Sequence, residues 1–102
     1  MEWYNYLAGF LSGGFLANFV PHFVNGISGN RFPTPFSKPH GIGLSSPTLN
    51  VIWALINLLL SFLFYKLAGI SMEKHLSLVI FFSGIATLSI FSSKQFSKKD
   101  KM

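Results

Sequence analysis

Cysteine is missing from all 102 residues. Its absence excludes disulfides, thiolate nucleophiles and Cys-ligated zinc or iron–sulfur centres together. Acid is nearly as scarce, with only Glu2, Glu73 and Asp100. Charge of either sign is absent from residues 3–30, 39–65 and 75–93. A Lys, Arg or Asp at the centre of a bilayer helix costs about 2.5–3.5 kcal/mol on insertion scales, so uncharged windows of this length predict three membrane crossings. The same windows offer little chemistry. Without an embedded carboxylate, lysine or thiol, acid–base candidates reduce to His22, His40 and hydroxyls, and no catalytic residue is assigned. Proton-coupled transport normally relies on an intramembrane carboxylate or histidine, and none lies well inside a span.

What is present is apolar: 50% hydrophobic residues against 11% charged, too greasy for a soluble domain of this length. Three spans and one loop consume nearly the whole chain, leaving no room for a separate catalytic domain. The net charge of +5 comes from residues that flank hydrophobic runs, so anionic lipid headgroups are the expected counterpart and nucleic acid is not. The first apolar run is expected to be retained rather than cleaved. Glu2 stands where a signal peptide carries positive charge, and no A-x-A site precedes residue 25.

The fold class expected is an all-α membrane protein of three transmembrane helices with a Gly/Pro-rich cytoplasmic loop between helices 1 and 2. The spans fall at about 3–24, 47–68 and 72–93, the loop at 25–46 and a basic cytoplasmic tail at 94–102. Residues 3–24 are long enough to cross about 30 Å of hydrocarbon, and Pro21 is expected to kink or end that helix. Trp3, Tyr4 and Tyr6 suit an interfacial aromatic belt. Residues 26–46 hold Gly26, Gly29, Pro33, Pro35, Pro39, Gly41 and Gly43, a density of helix breakers that rules out a fourth span. Phe32-Pro-Thr-Pro-Phe36 predicts extended backbone with both rings in the headgroup region. Ser46-Pro47 predicts a capped start for the second helix and Gly69 its stop, while Ser71 is expected to cap the third with Glu73 in its first turn. Arg31, Lys38, Lys94, Lys98, Lys99 and Lys101 share one side against Lys66 and Lys74 on the other, which predicts an outside N-terminus and a cytoplasmic C-terminus.

Small and polar residues mark where helices meet. Gly9, Gly13 and Ala17 recur at four-residue spacing, and Gly9–Gly13 is a GxxxG pair that permits close backbone approach within or between chains. Ser83 and Gly84 offer a matching small patch on the third span. Phe62, Phe64, Phe81 and Phe82 are candidates for the lipid-facing surface. On the second span, Asn50, Ala54, Asn57 and Ser61 fall on one stripe. At 1.5 Å per residue Asn57 lies about 15 Å from Pro47, near mid-membrane, and equal depth on the other spans falls at Ser12 or Gly13 and at Ser83 or Gly84. Asn57 is therefore expected to bond Ser12, Ser83 or a carbonyl beside glycine, either joining helices or contacting a substrate.

A second cluster is expected at the cytoplasmic mouth, where Asn18 and His22 sit one turn apart and Asn50 begins the antiparallel second helix. Arg31, Lys38 and His40 in the loop could add an anionic-headgroup site there, or be solvated loop residues. The histidines do not converge, so no metal and no cofactor are expected. Function is expected to be that of a small, non-catalytic membrane protein acting as a homo-oligomer or as an accessory subunit of a membrane complex, its partners being the lipid bilayer and itself or another membrane protein. A homo-oligomeric transporter or channel lined by Asn57, Asn50 and Asn18, and an anionic-lipid-binding or lipid-modifying protein, are the alternatives.

Overall fold

The computed structural model describes residues 2–38, 43–71 and 73–97, arranged as three helices: α1 (Trp3–Ile27), α2 (Pro47–Ala68) and α3 (His75–Phe96). Each is long and apolar enough to cross a bilayer, compatible with a multi-pass membrane protein. The central helix is α1. It packs along both α2 and α3, which meet each other only marginally, within an envelope of 45 × 22 × 19 Å. Burial follows that arrangement, falling from 33% of the α1 span to 22% of α2 and 11% of α3.

The ends of α2 follow the sequence signals. Ser46 Oγ accepts from the Leu49 amide at 3.1 Å, Pro47 takes the first position where no donor is needed, and Gly69 closes the helix at φ +65°, a left-handed conformation open to glycine at little cost. The start of α3 departs from expectation. The helix begins at His75, so Ser71 does not cap it and Glu73 precedes its first turn. Instead the Ser71 carbonyl accepts from the Lys74 amide at 3.1 Å, and Ser77 Oγ turns back onto the Lys74 carbonyl at 2.6 Å. Those bonds make a tight turn that delays helix entry by one turn.

The end of α1 also differs, falling at Ile27 rather than at about residue 24, and Pro21 does not end the helix. The helix continues to Ile27, with Asn25 Nδ2 donating to the Pro21 carbonyl at 2.8 Å. Proline lacks the amide that would bond the carbonyl four residues back, but neighbouring side chains and helices can stabilise a chain that passes through it. Gly26 marks that stabilisation. A Cβ there would stand 2.8 Å from the Pro47 carbonyl oxygen and 2.6 Å from Val51 Cγ2, so the last turn of α1 lies directly against the first turn of α2.

The two contacts of α1 differ in kind. Against α3 the approach is backbone to backbone. A Cβ on Gly84 would fall on the Phe10 carbonyl oxygen, and one on Gly13 on that of Phe81, a reciprocal arrangement suited to Cα–H···O contacts. Against α2 the contact is polar. Asn5 Nδ2 donates to the Leu67 carbonyl at 3.1 Å, Ser12 Oγ to the Ser61 carbonyl at 2.7 Å, Ser61 Oγ back to the Ser12 carbonyl at 2.8 Å, and Asn18 Nδ2 to Asn57 Oδ1 at 3.0 Å.

Packing corrects three expectations. Gly9 is not a point of tightest approach: its nearest neighbours, Ala68 Cβ and Ile80 Cγ2, lie at an ordinary 3.7 Å. Ser83 does not cross to another helix but bonds the Ile80 carbonyl of its own at 2.6 Å, and Ala17 is half-buried along an α1/α3 groove. Of the four phenylalanines expected to face lipid, Phe62 and Phe82 are exposed, but Phe64 and Phe81 pack against the Ala8, Ala68 and Ile70 cluster. Phe64 also stacks on Phe15, and Phe81 meets Tyr65 edge-on.

Candidate functional site

The loop end of the bundle is where buried polar groups concentrate. Phe32 and Ser45 pair as an isolated antiparallel bridge, with amide-to-carbonyl distances of 3.2 and 3.0 Å, which folds the segment after α1 back towards the start of α2. Within the fold, Thr34 and Ser37 close a small turn. Ser37 Oγ donates to the Thr34 carbonyl at 2.7 Å, the Phe36 amide donates to Thr34 Oγ1 at 3.2 Å, and Thr34 Oγ1 and Ser45 Oγ share a bond at 2.7 Å. Short hydroxyl side chains beside proline favour such local bonding, which lets an irregular segment bury its backbone.

Asn50 ties this loop to the helices. Its Nδ2 donates to the carbonyls of Phe32 at 2.9 Å, Ser46 at 3.0 Å and Ser45 at 3.3 Å, which leaves Oδ1 facing His22 Nδ1 at 2.8 Å. An amide oxygen only accepts, so Nδ1 carries the shared hydrogen and, in the neutral ring, Nε2 keeps the lone pair. The imidazole is edge-on to Phe32, Phe96 and Trp53, with ring centroids at 5.4, 5.8 and 6.4 Å. His22 and Asn50 are 1% and 0% exposed, the values expected of a network completed inside the protein.

Four residues expected as contacts are thus brought together in two pairs, His22 with Asn50 and Asn18 with Asn57. The partner expected for Asn57 is corrected: Ser12 pairs with Ser61, while Asn57 accepts from Asn18 and returns its own Nδ2 to the Trp53 carbonyl at 2.8 Å. The physical reason is the length of α1. Counting depth from residue 24 places Ser12 or Gly13 beside Asn57, but the helix continues three residues further to Ile27, so the same count reaches Phe15 or Leu16, and Asn18 is the polar side chain next along the helix. Arg31 and Lys38 are exposed on the loop, and His40 lies outside the described residues. Phe32 is also corrected. It is 6% exposed and 4.5 Å from Phe96 between ring centroids, so it plugs the bundle end rather than sitting at an interface; Phe36 is exposed and edge-on to Trp53 at 5.3 Å.

Two cavities adjoin these pairs. The outer one, about 380 Å³, lies between the loop, Asn18, His22, Gln95 and Phe91. The inner one, about 280 Å³, lies deeper among Phe10, Leu11, Phe15, Asn57 and Leu88. Asn18 and Trp53 line both. Trp53 Nε1 is buried and, among the described residues, has no hydrogen-bond partner. A buried donor without an acceptor costs about 1–3 kcal/mol. No group of three or more metal-ligating side chains occurs among the described residues.

Sequence reasoning missed Thr34, Ser37, Ser45, Trp53 and Gly26. Thr34 and Ser37 carried a usable signal, two hydroxyls three residues apart around Pro35. Gly26 gave the opposite one, since Asn25-Gly26 reads as the onset of a turn. Comparison with protein-family models, curated proteins and solved structures finds no match.

Proposed function

We propose that the chain is a non-catalytic multi-pass membrane protein that serves as an accessory subunit of a membrane complex, its N-terminus outside and its loop and C-terminal tail cytoplasmic. The observation that carries this reading is the state of α3. It is held through one face, only Ser77 and Gly84 being buried along it, while Leu76, Val79, Phe82, Ile90 and Phe91 stay exposed. A helix attached on one side and apolar on the other offers a long surface for a second membrane protein. Self-association through the glycine face of α1 is less well supported, because Gly13 is already engaged by α3. The carrier reading also loses support, since Asn18 and Asn57 satisfy each other, as do His22 and Asn50.

Affinity purification from native membranes tests the proposal. A second membrane protein in fixed stoichiometry is expected, and a tagged chain that emerges as a monomer alone, under every detergent that preserves its helices, overturns it. Orientation has its own test, because a reporter fused at Met102 must lie in the cytoplasm. Asn57→Leu separates the carrier: solute flux through liposomes that depends on Asn57 would favour transport over assembly.

A further inference from the structure

We propose that the two adjoining cavities form one binding groove for an anionic acyl lipid, its chain in the inner cavity and its phosphate at the loop. The inference is independent of whether the chain has a protein partner. It rests first on shape. The two cavities share Asn18 and Trp53 and lie in succession along α1, from Phe10 and Leu11 to His22, a distance of about 16 Å at the rise of a helix. α2 and α3 scarcely touch, so α1 forms the floor of the groove and the other two helices its walls.

Chemistry changes along that length in the order an acyl lipid requires. The inner part is walled by Phe10, Leu11, Phe15 and Leu88, suited to hydrocarbon. At the junction stands Trp53, whose buried Nε1–H lacks an acceptor among the described residues, and an ester carbonyl supplies one at the level where chain gives way to headgroup. The outer part keeps an apolar lining, including Pro35, Phe91 and Phe96, and adds Asn18 and Gln95 to it. Beyond it the loop carries Arg31 and Lys38, both exposed, and the described loop holds no Asp or Glu. That sign selects an anionic headgroup over a zwitterionic one. The loop itself is held in place by the Phe32–Ser45 bridge and by Asn50, so the mouth is organised before a lipid arrives.

Native mass spectrometry of the full-length, detergent-purified and delipidated protein tests the groove, with phosphatidylglycerol and phosphatidylcholine of identical chains offered at equal concentration. One phosphatidylglycerol per chain is expected, in clear preference to phosphatidylcholine. Arg31→Gln and Lys38→Gln should each weaken phosphatidylglycerol about fivefold and leave phosphatidylcholine unchanged. Leu11→Trp, which fills the inner cavity, should weaken both lipids. Leu88→Phe is the second variant if Leu11→Trp loses helicity. Equal binding of the two lipids, or undiminished phosphatidylglycerol binding in a folded cavity-filling variant, overturns the proposal. Displacement of the lipid by millimolar inorganic phosphate overturns it as well, by assigning the site to a free anion.

Discussion

α1 is bound to α2 by side-chain hydrogen bonds and to α3 by glycine, and the two seams solve the same problem with opposite means. In lipid no hydrophobic effect drives apolar helices together, so association must come from packing or from polar pairs. Along α2 the pairs Ser12–Ser61, Asn18–Asn57 and His22–Asn50 meet at discrete heights, and a shift of one turn would break them all. Along α3 the hydroxyls of Ser77, Ser83 and Ser93 turn back to their own helix, and Gly13 and Gly84 bring the backbones together. The polar seam therefore fixes register, and the glycine seam fixes distance. A mutation should be tolerated differently on each side.

The largest effect is expected from Gly84→Leu. Its new side chain would meet the Phe10 carbonyl, backbone that cannot move aside, so α3 should lose its seat at a cost of about 3 kcal/mol. Unfolding in mixed micelles measures that cost. The comparison is sharpened if trypsin still fails to cut after Arg31, because the Phe32–Ser45 bridge and Asn50 should hold the loop to α1 and α2 even when Phe96 is withdrawn from Phe32; rapid cutting would mean that the two seams form a single unit. Asn50→Leu comes next. It leaves the carbonyls of Phe32, Ser45 and Ser46 with only their backbone donors and strands His22 Nδ1–H, which should cost about 1–3 kcal/mol and expose the Arg31–Phe32 bond to trypsin while α3 remains docked.

Smaller effects are expected within the ladder. Double-mutant cycles on Asn18 with Asn57, and on Ser12 with Ser61, should give couplings near 0.6 kcal/mol and no more than about 1.7 kcal/mol, the range for such bonds between membrane helices. A coupling well above it would show the polar seam to be the dominant one. The smallest change is expected from Trp53→Phe in lipid-free detergent. Losing the unpartnered donor offsets the lost ring volume, so stability should move by less than about 0.5 kcal/mol.

Much of this architecture was legible in the chain. The uncharged windows located the helices, Ser46-Pro47 and Gly69 bounded α2, and the stripe Asn50, Ala54, Asn57, Ser61 is buried along its whole length. Composition is enough for such features because each depends on local chemistry or on one helix period. Pairing across helices was less legible, since it depends on where each helix ends. Pro21 reads as a kink or an end only while its neighbours are unknown, and with α2 pressed on Gly26 the helix runs on to Ile27, which moves the counterpart of Asn57 away from Ser12 in the direction of Asn18. The loop was the least legible part. Its prolines and glycines announce irregular backbone but not which hydroxyls close it, and the burial of Phe32 follows from the His22 and Phe96 rings beneath it.

The central position of α1 bears on how the chain is made. This helix leaves the ribosome before α2 and α3, carrying Ser12, Asn18 and His22 before either partner helix exists, with half of each polar pair unmatched. The arrival of α2 completes those pairs and closes the loop beneath them, so a stable hairpin can form while α3 is still being synthesised. α3 then docks on a finished surface, its backbone seated at Gly13 and Gly84 and its Phe81 and Phe96 rings laid on Tyr65, His22 and Phe32. Synthesis order and packing order coincide for these three helices, and the third of them is also the one with most of its surface left for other molecules.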